Sequence, residues 1–386
     1  MKLPDYYRVD DLLSQDERAV RDLVRKFVER EVKPIIGEYW LKGEFPQELI
    51  PKMAELGLFG PTLPEKYGGA ALSYIAYGLM MQELERGDSG LRSFASVQSS
   101  LAMFAIHKYG SEEQRMHWLP PMCRGEAIGC FGLTEPDAGS DPDMMLTKAR
   151  RTDHGWVISG SKRWITNGSV SKVAVVWAKD ESGKVQGFLV EKGQPGYTTR
   201  DMHTKVSMRA SVTSELYFDE VEVEESARLP GVRGLGSALS CLTEARFGIA
   251  FGAVGAAMDC FAEALDYSLT RRLFGAPLAA KQLTQEHLAD MLTRVTSGQL
   301  LALRLGQIKD AGQITYSQVS LAKRENVRRS IEVARMAREL LGANGITTEY
   351  CSIRHSVNLE SVDTYEGAYE VHSLIVGRDL TGMAAF

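Results

Sequence analysis

A block of short strand-like runs separates two stretches of helical periodicity, and this arrangement constrains the fold more than any other feature of the chain. Residues from about 10 to 128 and from about 235 onward repeat apolar side chains at helical spacing. Residues 173–177 and 187–190, in contrast, are β-branched or aromatic runs of the kind that forms buried strands. Since long helices do not alternate with these strands, the pattern argues against a doubly wound sheet.

The succession of a helical, a strand-like and a second helical pattern predicts a mostly α protein with a central β-domain. We expect an N-terminal helical domain over residues 1–128, a small β-sandwich or barrel over 129–232, and a four-helix bundle over 233–386, which is the natural packing for long helices. Within the first domain, the spacing predicts a helix over about 95–109.

Charge and cysteine content exclude several classes of protein. The chain has 45 basic and 50 acidic residues, a net charge of −5 at pH 7, so its surface as a whole does not attract polyanions and we expect no nucleic-acid partner. Its 5 cysteines form no Cys-x-x-Cys pair, which argues against a zinc site or a disulfide framework, and we expect no bound metal. A reducing compartment fits best, either the cytoplasm or, for a processed form, the mitochondrial matrix.

Several common signatures are absent from the sequence. Gly-x-Gly-x-x-Gly, His-Glu-x-x-His and Gly-x-Ser-x-Gly do not occur, so a classical dinucleotide fold, a zinc peptidase and a hydrolase elbow are unsupported. The longest strongly apolar run without a charge, residues 247–258, is too short to span a bilayer. It predicts a buried core helix, and we expect no membrane insertion.

Two polar blocks in the middle of the chain are candidate ligand sites. Residues 131–141, FGLTEPDAGSD, combine turn formers with the Thr134 and Ser140 hydroxyls, so this loop can present N–H and O–H groups to a planar or phosphorylated ligand. Trp164 and Thr166 form the second block, because an indole can cover a flat ring while a hydroxyl bonds its edge. A polar turn between lobes and a packed strand tryptophan also explain these residues, so spacing alone leaves both alternatives open.

Two charged residues are candidates for catalysis and for anion binding. Glu366 stands between Tyr365 and Gly367; aromatic neighbours that exclude water would raise the pKa of its carboxyl, and the glycine allows a ligand to approach the backbone. Arg92, beside an uncharged run, could hold an anion bidentately. The alternatives are a solvated carboxylate at a helix start and a surface ion pair of Arg92 with a neighbouring acid.

Taken together and in this order, these blocks resemble the acyl-CoA dehydrogenase family over nearly the whole chain. The matching motifs are FGLTEPDAGSD, WITN, RRLFG at 271–275 with Gln282, LLGANG at 340–345 and YEG at 365–367. Within that family the chain is most similar to the glutaryl-CoA dehydrogenases, as shown by residues 83–100, 129–141 and 245–252.

The resemblance implies FAD bound between the β-domain and the bundle, usually in a homotetramer. It places flavin contacts on the two polar blocks, on a segment expected to reach a neighbouring subunit, and near the end of the chain: Phe131, Leu133, Thr134, Ser140, Trp164, Ile165, Thr166, Arg271, Phe274, Gln282, Gly342, Ala368, Glu370 and Phe386. The substrate contacts that it implies are Arg92, Ser93, Glu85, Ser140, Leu239, Arg246, Tyr365 and Gly367.

The activity that the resemblance implies is FAD-dependent α,β-dehydrogenation of glutaryl-CoA with decarboxylation to crotonyl-CoA and carbon dioxide, a reaction of amino-acid degradation. Glu366 would be the catalytic base, Arg92 would hold the distal carboxylate, and electron-transfer flavoprotein or a similar acceptor would take the electrons. The alternative is dehydrogenation of another short dicarboxylyl or branched acyl-CoA without decarboxylation. Two departures from the family pattern, Ala368 for a usual Thr and Tyr369 beside it, bear on flavin affinity and substrate selectivity.

Overall fold

A computed structural model describes residues 3–385 of the chain. Its N-terminal part is helical, with α1 (Gln15–Phe27), α2 (Lys33–Lys42), α3 (Leu49–Glu55), α4 (Tyr74–Gly87), α5 (Ser89–Ser96), α6 (Phe104–Tyr109) and α7 (Glu112–Cys123). Two π-helical segments join these helices: Val28–Val32 connects α1 to α2, and Val97–Met103 connects α5 to α6. Phe386, implied above as a flavin contact, lies outside the described residues.

Side-chain caps fix where these helices begin. Ser14 accepts the N–H of Glu17, whose carboxylate accepts the N–H of Ser14, and this capping box starts α1. Asp88 starts α5 by accepting the N–H of Gly90 at 2.7 Å. The helix expected over residues 95–109 therefore begins earlier, at Ser89, because the cap is a local polar signal that apolar periodicity does not reveal.

The middle of the chain forms a mixed sheet. Its strands are β1 (Gly129–Gly132), β2 (Lys148–Arg151), β3 (Gly155–Thr166), β4 (Val173–Lys179), β5 (Val185–Glu191), β6 (Tyr197–Asp201) and β7 (Thr213–Glu224). They pair in the order β1-β4-β2-β3-β7-β6, with β5 also paired to β4. β1 runs parallel to β4, whereas the long strands β3 and β7 are antiparallel.

Strand β4 is apolar from Val173 to Ala178 because both of its faces are buried there. One face joins the core shared with the helices through Val173, Val175 and Trp177. The other face joins the core of the β-domain through Ala174, Val176 and Ala178. This burial explains the continuous apolar run in the sequence, and it fixes the β-domain against the N-terminal helices.

The C-terminal part is again helical. It contains α8 (Leu235–Thr270), a hairpin of β8 (Arg272–Leu273) and β9 (Ala276–Pro277), α9 (Gln282–Asp310), α10 (Tyr316–Leu340), α11 (Ser352–Thr364) and α12 (Tyr369–Thr381). Helix α8 packs against α4 and α10. By length and composition α8 could cross a membrane, but 83% of its apolar window is buried inside the protein. Residues 247–258 are buried throughout, as expected of a core helix.

The predicted mostly α fold with a central β-domain is thus confirmed. Helices precede and follow the sheet, and one core cluster runs from the N-terminal helices through β1 and β4 into α8 and α10. Because α4 and α5 pack against α8, and α10 packs against both α8 and α11, side chains that are far apart in sequence meet in this region.

Candidate active site

A short turn carries Glu366 between α11, which ends at Thr364, and α12, which begins at Tyr369. Glu366 has a φ of 52° and Gly367 a φ of 103°, so the backbone passes through the left-handed region at both residues. Residues other than glycine seldom adopt that region, and those that do concentrate at functional sites. A Cβ on Gly367 would lie 2.9 Å from Nε2 of His372, so a glycine is required there.

The carboxylate of Glu366 is shielded from solvent. Glu366 is half-buried as a residue, but its Oε2 is inaccessible to water and has no hydrogen-bond partner within residues 3–385. Desolvation raises the pKa of this carboxyl, against the opposing charges of Arg92, Arg246 and Lys323. A raised pKa and a free oxygen are what a general base requires. The alternative of a solvated carboxylate at a helix start does not describe this residue.

Arg92 lies on α5 with its side chain buried next to the Glu366 turn. Its Nε donates to Oε2 of Glu85 on α4 at 2.7 Å, and its Nη2 donates to the hydroxyl of Tyr365. Burial alone would lower the pKa of Arg92, but Glu85, Tyr365 and Glu366 raise it, so the guanidinium remains charged. Nη1 of Arg92 and Oε1 of Glu85 are buried and lack partners among the described residues. The ion pair with a neighbouring acid exists, but in the interior and not at the surface; Ser93 beside it is also buried.

The two polar blocks of the β-domain lie side by side. The N–H of Arg163 donates to the carbonyl of Thr134 at 2.8 Å. Nζ of Lys162 donates to the carbonyl of Leu133 at 3.1 Å and to the carboxylate of Glu135 at 2.7 Å. These bonds attach the loop after β1 to the end of β3, so the residues predicted from the two motifs share one surface.

A β-bulge turns Trp164 outward at this surface. The register between β3 and β7 shifts between Lys162 and Ile165, and Trp164 within the shift has a φ of 64°. As a result 56% of the tryptophan is exposed, whereas its neighbour Ile165 is buried. Thr166 is half-buried beside it, and Phe131 and Leu133 of the first block are buried. The alternative of a packed strand tryptophan is therefore wrong.

A second group of predicted flavin contacts lies around the β8–β9 hairpin. Arg271 and Gly342 line the same cavity of about 220 Å³, together with Tyr267 and Asn344. Phe274, at the tip of the hairpin, is 89% exposed. Gln282 is exposed at the start of α9. None of these residues makes a hydrogen bond to the Glu366 turn within the described chain, and their reach into another subunit stays a prediction.

The remaining predicted residues are distributed around these groups. Arg246 on α8 donates from Nε to the carbonyl of Glu366 at 2.5 Å, while Leu239 is exposed nearer the start of the same helix. Ala368 and Glu370 follow the Glu366 turn into α12, and Ser140 is exposed in the loop after β1.

Sequence reasoning missed the polar residues that support the site from behind. Lys323 and His372 are buried against the Glu366 turn, and the pair of Lys162 and Glu135 is buried under the β-domain surface. For Lys323 a signal was present, because it stands four residues after Val319 on the buried face of α10, where an apolar residue is expected. A lysine in an apolar helical stripe indicates a buried charge with partners.

Domain families match almost the entire chain. “Acyl-CoA dehydrogenase, N-terminal domain” matches residues 14–126, “Acyl-CoA dehydrogenase, middle domain” matches 130–221, and “Acyl-CoA dehydrogenase, C-terminal domain” matches 232–381. The chain belongs to the acyl-CoA dehydrogenase family. As in other acyl-CoA dehydrogenases, its cofactor is FAD and its substrates are acyl-CoA thioesters.

Individual members of the family are similar over their full length. The mitochondrial short-chain specific acyl-CoA dehydrogenase of Bos taurus is 35% identical over 377 residues, which cover 95% of this chain and 90% of the relative. A crystal structure of glutaryl-CoA dehydrogenase from Mycobacterium smegmatis is 54% identical with a TM-score of 0.96, covering 98% of this chain and 97% of that one. Another glutaryl-CoA dehydrogenase structure from that organism, in complex with FADH2, is 50% identical with a TM-score of 0.97 and covers 98% of both chains.

The residues present fit the flavin of this acyl-CoA dehydrogenase. The exposed indole of Trp164 offers a flat apolar surface, and the half-buried hydroxyls of Thr134 and Thr166 lie on the same surface. Phe131 and Leu133 would support the ring from the first block. When bound there, FAD would be held by β-domain residues, while the Glu366 turn belongs to the helical part.

Proposed function

We propose that this acyl-CoA dehydrogenase oxidises glutaryl-CoA and decarboxylates the product to crotonyl-CoA and carbon dioxide. The observation that carries this proposal is the buried pair of Arg92 and Glu85 beside the Glu366 turn. An acyl chain that ends in a carboxylate enters an interior site only where a cation receives it, and Nη1 of Arg92 lacks a partner in the described part of the chain. The 54% identity to glutaryl-CoA dehydrogenase of Mycobacterium smegmatis supports the same substrate.

The residues divide the chemistry among them. FAD, when bound, accepts the β-hydride of the acyl chain. Glu366 takes the α-proton with its carboxylate. The N–H of Glu366 donates no hydrogen bond within residues 3–385, so it is available to the thioester carbonyl, where negative charge develops. Arg92 orients the distal carboxylate. When the C–C bond between that carboxylate and the acyl chain breaks, carbon dioxide leaves and the electron pair stays on the acyl chain. Glu366 then returns a proton to the acyl chain.

A short-chain acyl-CoA dehydrogenase that does not decarboxylate is the second candidate, favoured by the 35% identity to the bovine enzyme of that name. It would use Glu366 in the same way but would have no use for a cation in the acyl pocket. In either case electron-transfer flavoprotein or a similar protein would accept the electrons, and a homotetramer would complete the flavin site through the hairpin.

Anaerobic mixing of the FAD-loaded enzyme with a panel of acyl-CoAs tests the proposal. We expect glutaryl-CoA to bleach the oxidised flavin faster than butyryl-CoA does, and to yield crotonyl-CoA and carbon dioxide. Bleaching by butyryl-CoA alone would favour the second candidate, whereas an unsaturated dicarboxylyl product from glutaryl-CoA would contradict the proposed decarboxylation. An unbleached flavin with every acyl-CoA would overturn both.

Arg92→Gln tests the role of the cation. We expect kcat/KM for glutaryl-CoA to fall on the order of 10²-fold, and for butyryl-CoA much less, because only the dicarboxylyl chain loses a charged partner. Arg25→Gln is the matched control, since Arg25, on α1, pairs with the buried Glu83, which lies on the same helix as Glu85. The control should leave the ratio of kcat/KM for glutaryl-CoA to kcat/KM for butyryl-CoA unchanged. If Arg92→Gln also left this ratio unchanged, the distal carboxylate would have to be held elsewhere.

A further inference from the structure

Lys323, on α10, is buried beneath the turn that carries Glu366. Only 1% of the residue is exposed, and Nζ donates to the carbonyls of Asp363 at 3.1 Å, Tyr365 at 3.2 Å and Gly367 at 2.7 Å. The first two carbonyls precede Glu366 and the third follows it. One ammonium group therefore connects the backbone before Glu366 to the backbone after it.

The three bonds use all the donors of a protonated lysine. An ammonium has three N–H donors and no acceptor, whereas a neutral amine could satisfy only two of the three carbonyls. The last carbonyls of α11 have no partner within their helix, and they carry the negative end of its dipole, which favours a cation at this place. An apolar side chain would fill the space without burying a charge, so packing alone does not explain a lysine here.

Arg246 binds the carbonyl of Glu366, which Lys323 does not reach. Its Nε donates to the carbonyl of Glu366 at 2.5 Å, and it approaches from α8 whereas Lys323 approaches from α10. Two cations from two helices thus bind the carbonyls of residues 365, 366 and 367 in succession. Fixing these carbonyls maintains the left-handed conformation at Glu366 and, with it, the direction of its side chain.

We propose that Lys323 is a positioning residue for the base, which fixes the direction of the Glu366 carboxylate and N–H and whose charge favours the ionised form of that carboxylate. This inference rests on the proposed role of Glu366. Lys323 itself makes no contact with the substrate in this scheme. It acts only through the turn, by holding the carbonyls before and after the base.

Several charged and titratable groups surround the turn. They are Arg92 on α5, Arg246 on α8, Lys323 on α10, Asp363 on α11, Tyr365 in the turn and His372 on α12. Desolvation together with Lys323 and Arg246 lowers the pKa of His372 to about 2, so His372 contributes no charge. Burial lowers the pKa of Lys323 to about 7, while Asp363 and Glu366 act in the opposite direction. Removing the ammonium takes away one of the three cations that offset the desolvation of Glu366, so the base should ionise at higher pH.

The test is the rate of anaerobic flavin reduction by glutaryl-CoA as a function of pH, with FAD content and thermal stability measured in parallel. We expect Lys323→Met to slow reduction by about 10²-fold or more at saturating substrate, with half-saturation changed by less than about 3-fold, because orientation of the base is lost and not substrate binding. We also expect the acid limb of its pH profile to move to higher pH. Lys309→Met is the matched control: Lys309 is another buried lysine, paired with Glu244 at 2.6 Å and without a bond to the turn.

The outcomes separate this inference from the proposed function. Lys309→Met should keep the wild-type acid limb, even if it lowers thermal stability. A Lys323→Met enzyme with the wild-type rate and limb, beside an inactive Glu366→Gln enzyme, would overturn the inference and leave the proposed function standing. Rapid reduction by Glu366→Gln would overturn both. If Lys323→Met does not retain FAD, Lys323→Gln decides by the same two readouts, and a wild-type rate and limb in that variant overturns the inference.

Discussion

At the scale of the residue, Glu366 combines two features that do not serve stability. Its backbone adopts a φ of 52°, and its Oε2 is buried without a partner among the described residues. Conformational strain and an unsatisfied buried oxygen both destabilise a fold, and they persist only where the surrounding structure imposes them. Arg246 binds the carbonyl of Glu366 itself and Lys323 binds that of Gly367, and by our proposal such bonds maintain the conformation of the turn before substrate arrives.

The desolvation of Glu366 predicts how Glu366→Gln changes stability with pH. Because the folded state raises the pKa of this carboxyl above its ordinary 4.5, the stability that Glu366 contributes is complete below about pH 4.5 and is lost as pH rises through the folded-state pKa. The amide does not titrate, so the Tm of Glu366→Gln relative to wild type should increase from about pH 5 to about pH 8 in calorimetry. Glu360→Gln, at an exposed position of α11, should show no such trend. A difference that decreases with pH would mean that the surrounding cations outweigh desolvation.

At the scale of the element, the helices that carry the two key charges are joined. Asp88, which caps α5 ahead of Arg92, accepts hydrogen bonds from Arg354 and, at 2.9 Å, from Asn358. Both donors lie on α11, the helix that leads into the Glu366 turn. Burying these groups is tolerated because each is paired. These bonds join the start of α5 to the first half of α11, so we expect them to help fix the spacing between the anion receptor and the base.

Helix α8 packs closely against the buried ion pair, and Gly252 is the point of contact. A Cβ on Gly252 would lie 2.1 Å from Oε2 of Glu85 and 3.1 Å from Nε of Arg92. Gly252→Ala should therefore displace the pair, lower the free energy of unfolding by about 1–3 kcal/mol and reduce kcat/KM for glutaryl-CoA more than for butyryl-CoA. Chemical denaturation and steady-state kinetics measure the two effects.

Gly236→Ala is the control in the same helix. A Cβ there would meet no atom within 4 Å, so the alanine should neither destabilise the protein nor change its substrate preference. If the two variants had the same free energy of unfolding and the same substrate preference, the contact of Gly252 with the ion pair would contribute to neither.

At the scale of the whole molecule, the β8–β9 hairpin protrudes from the helical part with its apolar tip uncovered. Phe274 is 89% exposed, Leu273 beside it is exposed, and so is Leu283 at the start of α9. Apolar side chains that gather on one protruding segment mark an interaction surface. Because Arg271, Phe274 and Gln282 are expected to reach the FAD of a neighbouring subunit, we expect a second copy of the chain to cover this surface.

Phe274→Asp tests that expectation. We expect the variant to form smaller assemblies in light scattering and to lose FAD on dilution, because the hairpin would complete the flavin site of another subunit. Val206→Asp, a change at another exposed apolar residue, should alter neither property. An assembly of wild-type size that retains FAD in Phe274→Asp would exclude the hairpin from the interface.

Patterns along the chain are enough to predict the order of the helical and strand segments and the residues that stand in distinctive local motifs. Helical periodicity before and after the strand runs predicted the helix–sheet–helix organisation, because burial pattern along one element is a local property. The Tyr-Glu-Gly motif and the isolated Arg92 pointed to a base and an anion receptor for the same reason, although their roles stay predictions until tested.

The surroundings of those residues depend on how distant segments of the chain pack together. Lys323 is 43 positions away from Glu366 in the sequence, and Arg246 lies on another helix. The local sequence around neither residue indicates that it binds the Glu366 turn. The bulge that exposes Trp164 depends on the pairing of β3 with β7, and the start of α5 depends on Asp88. Hydrogen bonds of these kinds form when distant segments pack together, so a pattern read along the chain cannot specify them. The chemistry of Glu366 was therefore suggested by its own motif, whereas its burial, its direction and its charge were set by the helices packed around it.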